Sequence, residues 1–267
     1  MGGEQTTNIP VRGAVDPFET FSQGRLPDRT SLQVACERER RYFVPLEALD
    51  KVVDLDRLEH DVITQSYLSA EGGAVLVALL HTFGWSPPTD QHAFTQARIR
   101  ETYERSAGRF THELVVKLKH PDDHPTERLE ITLPLDERAY ERLAPLTVGW
   151  RVVKQRHHLM ESARGGFQLE IDTLIALTRD GESVRPPGEQ FAIIDCEVAD
   201  RKDLARLVSR RTKHPILSRC IDISPDVSDR DEQRKPLSWR RLAEKGFDKR
   251  ARRALTELHA AFRAGER

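Results

Sequence analysis

Eight segments of this chain alternate polar or charged residues with apolar ones, so that the charged residues stand two apart. Successive side chains of a β-strand point to opposite faces, and each segment therefore predicts a strand with one polar or charged face and one apolar face. The segments lie between residues 37 and 198 and read ERERRYFV, VITQSYLS, QARIRETY, HELVVKLKH, ERLEITLP, RVVKQRHHL, FQLEIDTLIAL and FAIIDCEVA.

The charged faces are more ordered than those of an ordinary solvated sheet, because several carry two residues of the same sign. Arg98 and Arg100 stand two apart in one predicted strand, and Glu170 and Asp172 in another. A β-sandwich with its polar face in water also alternates, so an interaction domain of that kind stays an alternative. Eight strands are also enough to close a barrel around a small interior. If the charged faces point inward, helices must cover the apolar faces from outside.

The first predicted strand carries the most specific motif, ExExR, in which Glu37, Glu39 and Arg41 share one face. This motif resembles the ExExK signature of the CYTH domain, a superfamily also called the triphosphate tunnel metalloenzymes. The later strands carry charged residues that are similar to those of the family and follow in the same order. They are Arg98 and Arg100 (RxR), Lys117 with Lys119 in phase (TxK), Glu130 (paired glutamates), Lys154 and Arg156 (KxR), Glu170 and Asp172 (ExD) and Glu197 (last acidic strand).

The resemblance implies an α+β fold, namely an eight-stranded antiparallel closed β-barrel covered by helices, with a C-terminal helical segment. Family members bind a triphosphate inside the barrel together with divalent metal ions. Arginine forks and lysine charges suit phosphate oxygens, and Mg²⁺ or Mn²⁺ prefers carboxylate oxygens. The implied phosphate-binding residues are Arg41, Arg98, Arg100, Lys117, Lys119, Lys154 and Arg156. The implied metal ligands are Glu37, Glu39, Glu130, Glu170, Asp172 and Glu197, and the implied catalytic residues are Glu37, Glu39 and Arg41; Asp195 has the same parity.

The chain departs from the family pattern at several positions. Arg41 replaces the usual lysine of ExExK, Val115 the threonine of TxK, and Thr132 a second glutamate. Arg41 keeps the charge of lysine but lacks its titratable amine, which argues against a general-base role there. An insertion at about residues 69–95 lengthens the connection between the second and third strands, and is expected to be a covering helix or a lid.

Composition and charge divide the chain into three parts: a flexible arm over residues 1–32, the barrel over 33–200 and a helical extension over 201–267. The extension carries 19 Lys and Arg against 10 Asp and Glu, although the whole chain has a net charge of −1. Its basic helices are expected to be solvated faces. The three cysteines lack zinc-ligand spacing. No apolar segment is long enough to span a bilayer and the N-terminus lacks a signal-peptide core, so a cytoplasmic location is expected.

The predicted function is metal-dependent hydrolysis of inorganic triphosphate or of a nucleoside or thiamine triphosphate. A class IV-type adenylate cyclase and a non-catalytic sensor of polyphosphate or nucleotide stay open as alternatives. The expected partner is a small-molecule triphosphate, with no membrane. Nucleic acid is not favoured, although an RNA 5′-triphosphate and a homodimer both stay open.

Overall fold

The computed structural model describes residues 33–69, 76, 94–119, 127–160, 167–198, 201–224 and 237–265. The predicted N-terminal arm and most of the predicted insertion at 69–95 lie outside the described residues. The described strands are β1 (Gln33–Pro45), β2 (His60–Leu68), β3 (Phe94–Glu104), β4 (Arg109–Lys119), β5 (Glu127–Leu135), β6 (Thr147–Met160), β7 (Phe167–Arg179), β8 (Glu182–Val184), β9 (Phe191–Val198) and β10 (Ile221–Asp222).

The order of hydrogen-bonded strands identifies the fold class. The order is β10-β1-β5-β4-β3-β2-β6-β7-β8, and β9 pairs with both β1 and β7. The path that starts at β1 therefore returns to β1 through β9 after eight strands, which defines a closed sheet. This result confirms the predicted eight-stranded antiparallel β-barrel of the α+β class. Each of the eight segments with alternating charge is one of its strands.

Helices occupy the connections and the C-terminal part of the chain. They are α1 (Leu46–Leu49), α2 (Glu137–Leu143), α3 (Arg201–Arg210), α4 (Trp239–Lys245) and α5 (Lys249–Gly265). None of the described helices is long and apolar enough to cross a membrane.

The chain divides into two compact units, which are described one at a time. The first unit comprises the described residues of Met1–Glu37, Gln65–Thr102 and Phe110–Val148. Its apolar cluster joins one face of β3, β4 and β5 to α2, and the partly buried Tyr140 of α2 packs against this cluster. The residues of the cluster are Leu68, Leu76, Ala97, Ile99, Leu114, Val116, Leu118 and Ile131. In this unit a helix covers the apolar strand face, as predicted.

The second unit comprises Arg38–Thr64, Tyr103–Arg109 and the described residues of Gly149–Arg267. Its apolar cluster takes one face of β1, β7 and β9, and it includes Leu207 of α3 and Phe262 of α5. Cys196 is fully buried in this cluster. Leu207 and Phe262 therefore place α3 and α5 on the apolar side of these strands. The charged residues of the strands lie on the opposite side.

The C-terminal part of the chain contains two consecutive helices, α4 and α5, which Gly246 separates. Gly246 ends α4 with a φ of +61°, a left-handed conformation that glycine adopts at little cost. Ser238 caps the start of α4 by accepting from the Arg241 backbone N–H at 3.2 Å. Asp248 caps the start of α5 by accepting from the Ala251 backbone N–H at 2.8 Å.

Gly149 of β6 provides a test of how closely α4 packs on the strand. Its φ is +75°, and a Cβ added there would lie 2.1 Å from the Ala243 carbonyl oxygen. Gly181 has a φ of +84° but no atom within 4 Å of an added Cβ. Both Gly→Ala changes carry the backbone strain, so we expect Gly149→Ala to cost about 1–3 kcal/mol more than Gly181→Ala. Urea unfolding of both variants measures the difference, and equal losses would show that the α4 contact is looser.

Candidate functional site

Lys117 is at the centre of the charged network in the first unit. It lies directly opposite Glu130 in the β4–β5 register, and its Nζ is 3.0 Å from Glu130 Oε2. The same Nζ donates to the carboxylate of Glu37 on β1. Arg98 of β3 reaches Glu130 at 3.9 Å. Lys117 and Arg98 are only 3% and 7% exposed, so these charges are held inside the protein.

The Glu130 carboxyl shows how strongly this network favours ionisation. Burial acts to raise its pKa, but the charge of Lys117, followed by those of Arg98 and Arg100, outweighs burial and lowers the pKa to about 2. Arg100 has its own partner, because its guanidinium lies 2.6 Å from Glu113 Oε1. The network thus contains alternating opposite charges on β3, β4 and β5.

Asp172 is at the centre of the network in the second unit. Arg156 lies directly opposite it in the β6–β7 register and donates in a bidentate way, at 2.7 Å from Nε and 2.8 Å from an Nη. Lys154 also donates to Asp172, and both of these side chains are completely buried. Burial acts to raise the pKa of Asp172, but Arg156 and then Lys154 lower it well below its ordinary value. Arg156 pairs in addition with Glu170.

Trp239 of α4 closes the buried end of this network. Lys154 Nζ lies 5.1 Å from the centre of its indole ring, within the range of a cation–π contact. Trp239 is 3% exposed. The indole ring shields the Lys154–Asp172 pair from water.

Arg41 is fixed by contacts to its side chain and its backbone. Its guanidinium donates to both oxygens of Asp195 on β9, at 2.6 and 2.9 Å, and lies 3.5 Å from Glu39. Its backbone N–H donates to Ser224 Oγ at 2.9 Å. Asp195, predicted from parity, thus lies on the charged face beside Arg41. Ser224 could not be found from the sequence, because it lies in a segment without periodicity.

The carboxylates of β1, β7 and β9 determine how a metal ion could bind. Glu39 lies directly opposite Glu197, and Glu170 directly opposite Asp195. In the described part of the chain, no three Asp, Glu, His or Cys side chains form a ready metal site. Arginines and lysines pair with several of these carboxylates instead. Mg²⁺ commonly takes only one or two carboxylates together with water and substrate phosphate, and the Glu39–Glu197 pair fits that chemistry.

The structure places most of the predicted site residues in ion pairs, some within the first unit and others within the second. Glu197 is placed by its register opposite Glu39. Lys119 lies in β4, but its side chain is outside what the structure describes. Sequence reasoning missed Asp61, whose carboxylate lies 3.2 Å from His158 Nε2. Its parity, which it shares with Gln65 and Tyr67 on β2, was the available signal.

Comparisons with known proteins give only a distant likeness. No family model matches the chain, and no curated protein matches it. The PH1819 protein from Pyrococcus horikoshii OT3 is 20% identical with a TM-score of 0.40, over 68% of this chain and 88% of that one.

Two structures of NE1496 also match. One, titled a hypothetical protein, has a TM-score of 0.29 at 19% identity, over 64% of this chain and 81% of that one. The other, titled the inorganic triphosphatase NE1496, has a TM-score of 0.28 at 20% identity, over 63% and 78%. At these TM-scores, the three similar structures support no conclusion about this chain. The similarity to the CYTH domain rests on this chain's own strand order and on the charged strand faces.

The lowered pKa of Glu130 predicts how acid weakens the protein. A carboxyl whose folded pKa lies below its unfolded value stabilises the fold above the unfolded pKa, here 4.5, and loses that contribution as pH falls towards 2. The contribution is on the order of 3 kcal/mol. We expect Glu130→Gln to flatten the fall in unfolding free energy between pH 4.5 and 2, measured by urea unfolding.

A matched control is Thr132→Ala, which changes a neutral residue of the same face of β5. It should shift stability by an amount that does not depend on pH. An unchanged acid slope in Glu130→Gln would contradict the prediction.

Asp172→Asn tests the buried network in the second unit. The change leaves Lys154 and Arg156 buried with one carboxylate fewer, which should cost about 3–5 kcal/mol. Adding Lys154→Met should recover part of this loss, because it removes the uncompensated charge. Glu257→Gln breaks an exposed pair with Arg253 and should change stability by less than about 1 kcal/mol. Equal losses in Asp172→Asn and Glu257→Gln, measured by urea unfolding, would show that the buried pair is unimportant.

Proposed function

We propose that this protein is a metal-dependent triphosphatase that hydrolyses inorganic triphosphate or a nucleoside or thiamine triphosphate. The observation that carries the proposal is the set of buried cations on the strand faces. Ordinary strands do not bury arginine and lysine, because removing their charge from water is costly. A polyanionic substrate explains why the chain keeps them. Four such residues are Arg98, Lys117, Lys154 and Arg156. Together with the partly buried Arg41 and Arg100 and with Lys119, they would bind phosphate oxygens.

The present ion pairs suggest how the substrate binds. In each unit, carboxylates now occupy the positions around the cations that phosphate oxygens would take. A phosphate that replaced Glu37 beside Lys117 would keep the cation neutralised and release a carboxylate. The released carboxylate would then be available to a metal ion. Substrate and metal would thus replace existing ion-pair partners rather than enter an empty site.

The proposed ligands of Mg²⁺ or Mn²⁺ are acidic residues on the same strand faces. Glu39 and Glu197 fit best, because they lie directly opposite each other on neighbouring strands. Like charges in that position repel, and a cation bound between them would remove the repulsion. Asp172 fits least well, because Lys154 and Arg156 bind both of its oxygens. The complete proposed set is Glu37, Glu39, Glu130, Glu170, Asp172 and Glu197. A bound metal would supply Lewis acidity at the phosphate oxygens.

Arg41 would stabilise negative charge and would not transfer a proton. Its bidentate bond to Asp195 and its backbone bonds hold the guanidinium in one place. A fixed guanidinium can stabilise negative charge that develops on a phosphoryl group. Glu37 and Glu39, the other proposed catalytic residues, would orient the metal ion and its water.

Phosphate release from inorganic triphosphate, ATP and thiamine triphosphate, with Mg²⁺ or Mn²⁺, tests the proposal. We expect rapid release from at least one substrate and a loss of about 100-fold or more in Glu39→Gln, because a metal ligand is neutralised. Glu59→Gln, at an exposed position, is the matched control and should keep full activity.

Other outcomes identify the alternatives. Pyrophosphate and a cyclic nucleotide formed from ATP would indicate a cyclase. Triphosphate-dependent thermal stabilisation without release would indicate a sensor. A protein that neither hydrolyses nor binds any triphosphate would contradict every interpretation of the charged strands as a ligand site.

A further inference from the structure

Gln65 is a neutral residue on the charged face of β2. Leu68 of the same strand packs in the apolar cluster of the first unit, so Gln65 and Tyr67 lie on the other face. Arg98 lies on the corresponding face of β3, because its neighbour Ile99 packs in the same cluster. β2 and β3 are hydrogen-bonded neighbours. Gln65 and Tyr67 therefore share the face that carries the proposed phosphate-binding arginines.

One polar atom of the Gln65 amide has no hydrogen-bond partner among the residues that the structure describes. Its Nε2 donates to Tyr67 Oη at 3.0 Å, and Gln65 is completely buried. Its Oε1 is also buried and accepts no hydrogen bond from the residues that the structure describes. A buried acceptor without a donor costs about 1–3 kcal/mol. Enclosed water molecules are the common donors at such atoms.

We propose that Gln65 Oε1 binds the water molecule that attacks the terminal phosphorus, and that Tyr67 is a positioning residue that fixes the amide. The inference rests on the proposed triphosphatase function. A carbonyl oxygen accepts a hydrogen bond from water and cannot donate one to phosphate. Unlike a carboxylate, it carries no net charge that would repel the substrate. Glutamine has the same water-orienting role in GTP hydrolysis.

The chemical step needs no further reactant. The oxygen of the bound water forms a bond to the terminal phosphorus, while the bond from that phosphorus to the bridging oxygen breaks. The electron pair of the broken bond stays on the leaving diphosphate. One proton of the water passes to an oxygen of the transferred phosphoryl group, and the other stays on the attacking oxygen. Gln65 stays neutral throughout and only directs the lone pair of the water.

Gln65→Leu tests the proposal, because it removes the amide and keeps a similar volume. We expect kcat to fall roughly 100-fold, the size of effect seen when one well-placed hydrogen-bonding group is removed from an active site. KM should stay unchanged, as should binding of imidotriphosphate, in which NH replaces the bridging oxygen. The melting temperature of the free protein should hold or rise, because the unpartnered acceptor is gone.

Three further variants complete the experiment. Ser66→Ala changes a buried residue on the opposite face of the same strand and should leave kcat unchanged. Tyr67→Phe frees the amide and should lower kcat about 10-fold, without changing KM, since it removes one orienting hydrogen bond. Gln65→Met repeats the test with a more adaptable side chain if the leucine variant does not fold.

Three results would overturn the inference. A raised KM and weaker imidotriphosphate binding, with kcat unchanged, would show that the amide is turned and binds phosphate through its NH₂ group. Unchanged kinetics with a lower melting temperature would show that the pair is only structural. Both results require an active wild-type protein, so they leave the proposed function standing. A wild type that hydrolyses no triphosphate would overturn the proposed function and the inference together.

Discussion

Pairing of buried charges between neighbouring strands is the interaction on which the rest of the structure depends. Asp172 and Lys154 are completely buried, and either charge alone would be too costly to keep in that environment. The pairing also fixes strand register. A slip of one residue between β6 and β7 would turn Arg156 into the apolar face and leave Asp172 without its bidentate partner. The charges thus specify the sheet at a cost that the apolar clusters on its other face must offset.

That cost indicates why the networks are kept. Replacing a buried ion pair by apolar residues of similar volume is often neutral or stabilising, so stability alone does not explain Lys117 with Glu37 and Glu130. Breaking local rules of this kind is characteristic of functional sites. The apolar faces carry residues such as Ile99 and Ile171, which follow the ordinary pattern. In β3 and β7 the buried charges are therefore confined to one face of the strand.

The sequence predicts the strands and their facing well, because both follow from a period of two. It predicts strand ends less well: β6 begins at Thr147, although its alternation is clear only from residue 151. The apolar residues keep a helical spacing on both sides of Gly246, so spacing alone does not show that α4 ends there. The sequence also could not show which cation meets which carboxylate. That choice depends on register between strands distant in sequence, as with Arg41 and Asp195.

The observed pairing sets a condition on ligand binding if the proposed function is correct. A metal ion that arrived alone at Glu130 would have to displace Lys117 and leave a buried cation unpaired. A triphosphate that arrived alone would pair with the cations and leave buried carboxylates unpaired. Either step leaves buried charges without partners, and binding of the other ligand removes that free-energy cost. The metal ion and the triphosphate would therefore bind with positive coupling. Under the proposed function, the ligand that enters would be the metal–triphosphate complex, because its mixed charges match those of the network.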